Sequence, residues 1–190
     1  MAYITAAAFK TYRDIDQEDD DLISDLINQA QKVIERQTGR VFEQPGADET
    51  RYFDAENDVD EETLWLDDDL LTITTITNGD ATTVASDEYV TEPRNETPIY
   101  AIRLLASSGV AWTYTTDPEN AISIAGKWAY STTPPDDIVL AMLRLTKWFY
   151  DQRQSTEADQ PSVSPSGMML LPGTIPRDVM TLLTPYKKGL

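Results

Sequence analysis

The sequence predicts an α+β protein. Helices from both chain ends form one body, and an antiparallel β-rich segment is inserted between the second and third long helices. Three observations carry this. Residues 19–38 repeat apolar side chains at helical spacing, residues 43–135 hold short β-branched and aromatic runs broken by turn formers, and residues 136–153 return to the helical period. The expected helices span about 5–12, 19–38, 136–153 and 176–186. They divide the chain into a helical part, 1–42 with 136–190, and a β-rich insertion, 43–135.

Thr5 ahead of Ala6, Ala7 and Ala8 reads as an N-cap before good helix formers. The second helix places Leu22, Ile23, Leu26, Ile27, Ala30, Val33 and Ile34 along one stripe. Asp19, Asp20 and Asp21 complement its positive end, and Gly39 suits the turn beyond its last residue. In the insertion, strands are expected at 64–66, 70–77, 88–90, 101–105, 112–116 and 121–126. The pair Asn78-Gly79 marks a hairpin. Pro135, Asp136 and Asp137 then open a helix whose apolar residues (Ile138, Val139, Ala141, Met142, Leu145, Trp148, Phe149, Tyr150) cover more than one face. Such a helix belongs at the centre of a body or at a subunit contact. Residues 154–173 break the pattern for longer than an ordinary helix connection. The expectation is a segment mobile in the free subunit and ordered by a neighbour, because Met168, Met169, Leu170 and Leu171 are too apolar for a permanently solvated spacer. Pro176 opens the last short helix.

Composition narrows the chemistry. The 190 residues contain neither cysteine nor histidine. That excludes disulfides, thiolate metal sites, a cysteine nucleophile and the usual imidazole base. Motifs for nucleotide phosphates (GxxxxGK[ST], GxGxxG) and for a serine nucleophile (GxSxG) do not occur. No enzyme, cofactor or metal site is expected. The acid-rich runs DIDQEDDD and DAENDVDEE lack the glycine and closing glutamate of a calcium loop. No apolar run is long enough to span a membrane, and the N-terminus lacks a secretory pattern, so a soluble protein is expected. Thirty-three acids against 15 bases give a formal charge of −18. Twelve of those acids fall in 43–69, opposed only by Arg51, whereas the chain ends in KKGL. An acidic face meets nucleic acid without holding it, since phosphate affinity comes from Lys and Arg.

Four patterns resemble one family when read in order. They are DDDLISDLINQAQKVIERQTGRVFE; LWLDDDLLTITTITNGD with YVTEPRNETPIYAIRL; ISIAGKWAYSTTPPDDIVLAMLRLTKWFYDQR; and IPRDVMTLLTPYKK. Together they resemble the head–tail connector (adaptor) proteins of tailed phages over most of 1–153 and 174–188. The acidic loop 54–62 and the linker 154–173 lie outside the resemblance. It implies a structural virion protein at the neck, assembled in the host cytoplasm as a homo-oligomeric ring, usually of twelve copies. The ring sits beneath the portal protein and receives a tail-side neck or tail-terminator protein. DNA passes through the lumen without specific binding, and no membrane is involved.

Two sets of residues are expected to matter. Leu22, Leu26, Ala30 and Val33 should pack with Ile138, Met142, Leu145 and Phe149 as the body core. Met168, Met169, Leu170, Leu171, Arg177, Tyr186, Lys187 and Lys188 should meet the portal or a neighbouring subunit. The competing reading is a monomeric acidic β-rich module that binds carbohydrate or a host-surface protein. It would be recognised by aromatics on an exposed strand face and no ring contact.

Overall fold

The computed structural model describes residues 2–15, 20–154, 162–163, 169–170 and 175–188, with Gln154 and the residues of 162–163 and 169–170 described by backbone alone. The chain divides into two compact units, one of residues 1–39 and 134–190 and the other of 40–133.

The first unit is helical. Helix α1 (Ala6–Arg13) starts where Thr5 Oγ1 accepts the Ala8 N–H at 3.1 Å, the cap expected from sequence. Helix α2 (Asp20–Thr38) ends at Gly39, whose φ of 68° and N–H to Glu35 O at 2.7 Å close the last turn. Helix α3 (Asp136–Gln154) begins beyond Pro135, whose carbonyl accepts the N–H groups of Ile138 and Val139. Helix α4 (Arg177–Leu183) runs on into a 3-10 turn, Thr184–Tyr186. Helices α1, α2 and α4 each contact α3, and α1 and α4 also contact α2. Phe9, Ile23, Ile27, Ala30, Ile34, Ile138, Ala141, Met142, Leu145, Val179 and Leu183 are buried in this unit. Each large apolar side chain among them contributes about 1.5–3 kcal/mol relative to exposure. None of the helices is long and apolar enough to cross a membrane, among the described residues.

The second unit is an antiparallel sheet of seven strands, β1 (Glu49–Phe53), β2 (Val59–Asp60), β3 (Thr63–Thr77), β4 (Thr83–Val84), β5 (Tyr89–Glu92), β6 (Ile99–Leu104) and β7 (Ile122–Trp128). The order is β1-β7-β3-β6-β5, with β2 and β4 added on β3. Strand β3 is the spine. Its first half pairs with β6 (Leu64 opposite Ile102) and its second with β7 (Ile76 opposite Ile124), with register shifts between Trp65 and Leu70. One side carries the core, including Phe53, Leu64, Leu70, Ile76, Ile102, Leu104, Ile122, Ile124 and Trp128.

Several strand expectations change. The runs 64–66 and 70–77 form one strand, because Asp67, Asp68 and Asp69 between them have cationic partners: Arg40 Nη1 meets Asp69 at 2.5 Å, and Arg51 Nη1 meets Asp68 at 3.2 Å and Asp67 at 3.5 Å. Residues 112–116 are not a strand. Thr113 N–H goes to Asn78 Oδ1 at 3.1 Å, and Tyr114 makes only a single bridge to Gly79. Gly79 is therefore required by closeness rather than by a left-handed φ, since a Cβ there would lie 2.2 Å from Thr113 O. Strands β1, β2 and β4 are not among the expected ones. In the linker, β8 (Ser162–Val163) pairs with β9 (Met169–Leu170). The rest of that segment, and with it most of the expectation of mobility, lies outside the described residues.

Candidate functional site

The acids of the β unit mostly finish its loops. Asp54 accepts from Asn57 Nδ2 at 3.3 Å and from the Asn120 N–H at 2.8 Å, and Asp58 accepts from the Asp54 N–H at 2.7 Å. Glu56 accepts the Tyr114 hydroxyl at 2.6 Å, and this bond raises the tyrosine pKa. Asp48 accepts from Thr74 Oγ1 at 2.6 Å and faces Lys127 Nζ at 3.1 Å, which together hold its carboxyl below the ordinary aspartate value. Burial works against the Arg51 charge, yet its bonds to Asp68 and Glu49 raise its pKa, and its guanidinium lies 4.4 Å from the Trp128 ring centre. Among the described residues, no group of three or more acids is placed to hold a metal ion.

The expected core residues lie on helices that touch. Leu26, Ala30, Ile138, Met142 and Leu145 are buried, whereas Leu22, Val33 and Phe149 are half-buried. Ile23, Ile27 and Ile34, on the same expected stripe of α2, are more fully enclosed than Leu22 and Val33. Of the expected contact residues, Met168 and Leu171 lie outside the described residues, and Met169 and Leu170 are the strand β9. Arg177 is exposed at the start of α4. Tyr186 and Lys188 are half-buried and Lys187 is exposed beyond the 3-10 turn. The Lys188 N–H donates to Thr38 O at 2.8 Å. That places the two lysines by the carbonyl end of α2, where positive charge is favoured. Arg177 and the lysines stand at opposite ends of α4 and its 3-10 turn, about 10 Å or more apart, so they do not form one patch.

Sequence reasoning missed a surface groove of about 280 Å³ in the helical unit, lined by Tyr12, Arg144, Lys147, Trp148, Asp151, Pro176 and Asp178. Asp151 bridges Arg13 Nη2 at 2.8 Å and Lys147 Nζ at 2.5 Å, and Arg144 Nη1 meets Asp178 at 2.9 Å. Arg13 also lies 5.9 Å from the Tyr150 ring centre. These charges are balanced within the groove, while Tyr12 is 42% exposed and Trp148 half-buried. Nearby along α3, Val139, Leu140, Leu143 and Phe149 are also only half-buried. The arrangement is an amphipathic surface with fixed charges at its rim. Its signal in the sequence was the second apolar face of α3.

A protein-family model described as head completion protein matches residues 2–189. No curated protein matches the chain. Among solved structures, the fold is similar to a chain of the neck of an empty gene transfer agent particle, computed with C6 symmetry. The TM-score is 0.63 at 15% identity, covering 99% of this chain and 91% of that one. It is also similar to a chain of the native particle's neck, computed with C12 symmetry, with a TM-score of 0.59 at 15% identity over 97% of this chain and 88% of that one. A chain of the whole native virion gives a TM-score of 0.58 at 16% identity, covering 99% and 91%. The match to the family model over nearly the whole sequence shows that this chain belongs to the head completion protein family, in agreement with the head–tail connector motifs it carries.

Proposed function

We propose that the chain is a structural virion protein that joins the DNA-filled head to the tail, as one subunit of a ring beneath the portal protein. The observation that carries this is the family match over residues 2–189. It is supported by a fold shared with chains from particle necks solved with sixfold and twelvefold symmetry. The role is non-catalytic: it asks for a fixed shape, a contact surface and a lumen.

In this reading the connector body is formed by 1–42 and 136–190, and 43–135 is an insertion within it. A closed ring needs two different patches that meet between copies. The half-buried side of α3 and the groove around Tyr12 and Trp148 supply one of them. The portal or a neighbour takes the C-terminal end with Lys187 and Lys188, and a tail-side neck or tail-terminator protein takes the opposite side of the ring. An exposed acid such as Asp25 on α2 supplies a negative lumen band, repeated once per subunit. DNA phosphates find no cationic partners there, so the genome slides without sticking. Removing the chain from the producing strain should yield full heads and free tails that do not join. Tailed, infectious particles from such a strain would rule the role out.

A further inference from the structure

We propose that Asn78 is a site of spontaneous deamidation, held shut in the folded loop and reached only when the segment carrying Ala111 and Thr113 lifts away from it. This goes beyond the connector reading and stands whether or not the chain forms a ring. Asn78-Gly79 is the one Asn-Gly pair in the sequence. A glycine after asparagine has no side chain to keep its backbone nitrogen away from the preceding side-chain amide, so this pair closes to a succinimide more readily than others. The other four asparagines, Asn28, Asn57, Asn95 and Asn120, are exposed and precede larger residues, whereas Asn78 is 3% exposed.

Three hydrogen bonds fix the plane of the Asn78 amide. Its Nδ2 donates to Ala111 O at 2.9 Å, and its Oδ1 accepts the N–H groups of Gly79 at 2.9 Å and Thr113 at 3.1 Å. The Gly79 N–H thus points at Oδ1, and its nitrogen is not aimed at Cγ. Attack requires the amide to turn out of this plane, which breaks the bonds to Ala111 and Thr113 together. Once it turns, Gly79 N bonds to Asn78 Cγ, loses its proton and expels Nδ2 as ammonia; water then opens the succinimide to aspartate or isoaspartate. Neither product restores the loop. A carboxylate accepts but does not donate, so the Ala111 carbonyl loses its partner in a buried place. Isoaspartate also lengthens the backbone inside the turn where Asn78 N–H meets Thr82 O at 2.8 Å. One opening of the loop is thereby made permanent.

The test incubates the full chain at about pH 8, folded and in guanidinium chloride, and follows the mass gain of about 1 Da at Asn78 by peptide mapping. Ring closure is slow, so its rate in the folded chain follows the fraction of time the loop is open. The folded parent should deamidate at Asn78 about a hundredfold more slowly than the denatured chain. Tyr114→Phe removes the 2.6 Å bond to Glu56 and leaves Asn78 itself untouched. It should deamidate about fivefold faster than the parent when folded, and at the parental rate in denaturant. Asn78→Asp, the direct product, should melt about 5 °C below the parent. The first two comparisons do not depend on that variant folding. Three results overturn the proposal: equal rates in the folded and denatured parent, a folded Tyr114→Phe variant no faster than the parent, or an Asn78→Asp variant as stable as the parent.

Discussion

The two units differ in how they treat charge and apolar surface. The helical unit, 1–39 with 134–190, carries 14 acids and 10 bases, and leaves one side of α3 half-covered. The β unit, 40–133, carries 19 acids and 5 bases, buries its apolar side chains on one side of the sheet and uses two of those bases, Arg40 and Arg51, to neutralise Asp67–Asp69 within β3. The difference separates two jobs. A nearly balanced surface with spare apolar area tolerates close approach of another protein copy, whereas a surface with a large uncompensated negative charge repels both phosphates and its own copies. In the proposed ring, contacts between copies are therefore assigned to the helical unit.

The largest effect that would break this contrast lies in the helical core. Leu26 is 6% exposed on α2, and Leu26→Asp should lower stability by about 4 kcal/mol, from the lost leucine together with a carboxylate placed among apolar side chains. Thermal unfolding measures it, and an unchanged midpoint would show that α2 is not part of a packed body. The corresponding weak point of the β unit is its backbone. Gly79→Ala places a methyl group 2.2 Å from Thr113 O, so the loop carrying Thr113 and Tyr114 must move. We expect a loss of about 2 kcal/mol, again by thermal unfolding, with the helical signal at 222 nm least affected. Equal stability of variant and parent would remove the close approach as the reason for this glycine.

Those two positions also show what a sequence reader can and cannot see. Helix α2 was legible to within a residue because its period, its leading aspartates and Gly39 agree. The cap at Thr5 and the start of α3 at Pro135 were legible for the same reason: each is a local signal with a local cause. Strand β3 was not, because three consecutive aspartates read as a break until Arg40 and Arg51 arrive from elsewhere in the chain. Residues 112–116 have strand-forming side chains, but the side chain of Asn78, only 3% exposed, takes the Ala111 carbonyl and the Thr113 N–H that a neighbouring strand would need. The stacking of Trp65 (on β3) with Tyr100 (on β6) depends on the register across an irregular stretch of β3, and no spacing rule in one strand reports that. The Tyr12–Trp148 groove joins residues more than a hundred positions apart.

A smaller effect sharpens the contrast through pH. The pKa of Asp48 is lowered by Thr74 and Lys127, and that of Asp80 by the Thr82 hydroxyl and N–H. A carboxylate whose pKa is lower in the folded state stabilises fully above the ordinary aspartate value. That contribution is lost as pH falls through the lower, folded value. The melting temperature should therefore decline on acidification below about pH 4, and the double variant Asp48→Asn/Asp80→Asn should show a shallower decline than the parent. Parallel curves would mean that these bonds do not couple to folding. The smallest effect concerns the C-terminal lysines. Neutralising Lys187 and Lys188 should slow the joining of heads to tails in extracts at low salt, with the difference fading as the Debye length shrinks from about 10 Å at 0.1 M to about 3 Å at 1 M. Joining at the parental rate at low salt would deny these residues a steering role.

The central claim is that this chain closes into the ring between head and tail. Two-dimensional averages of particle necks, from strains with and without the chain, test it most directly. The account predicts ring-shaped density with a central hole at the tail-bearing vertex, present with the chain and lost without it. Neck density that is unchanged when the chain is removed would contradict it.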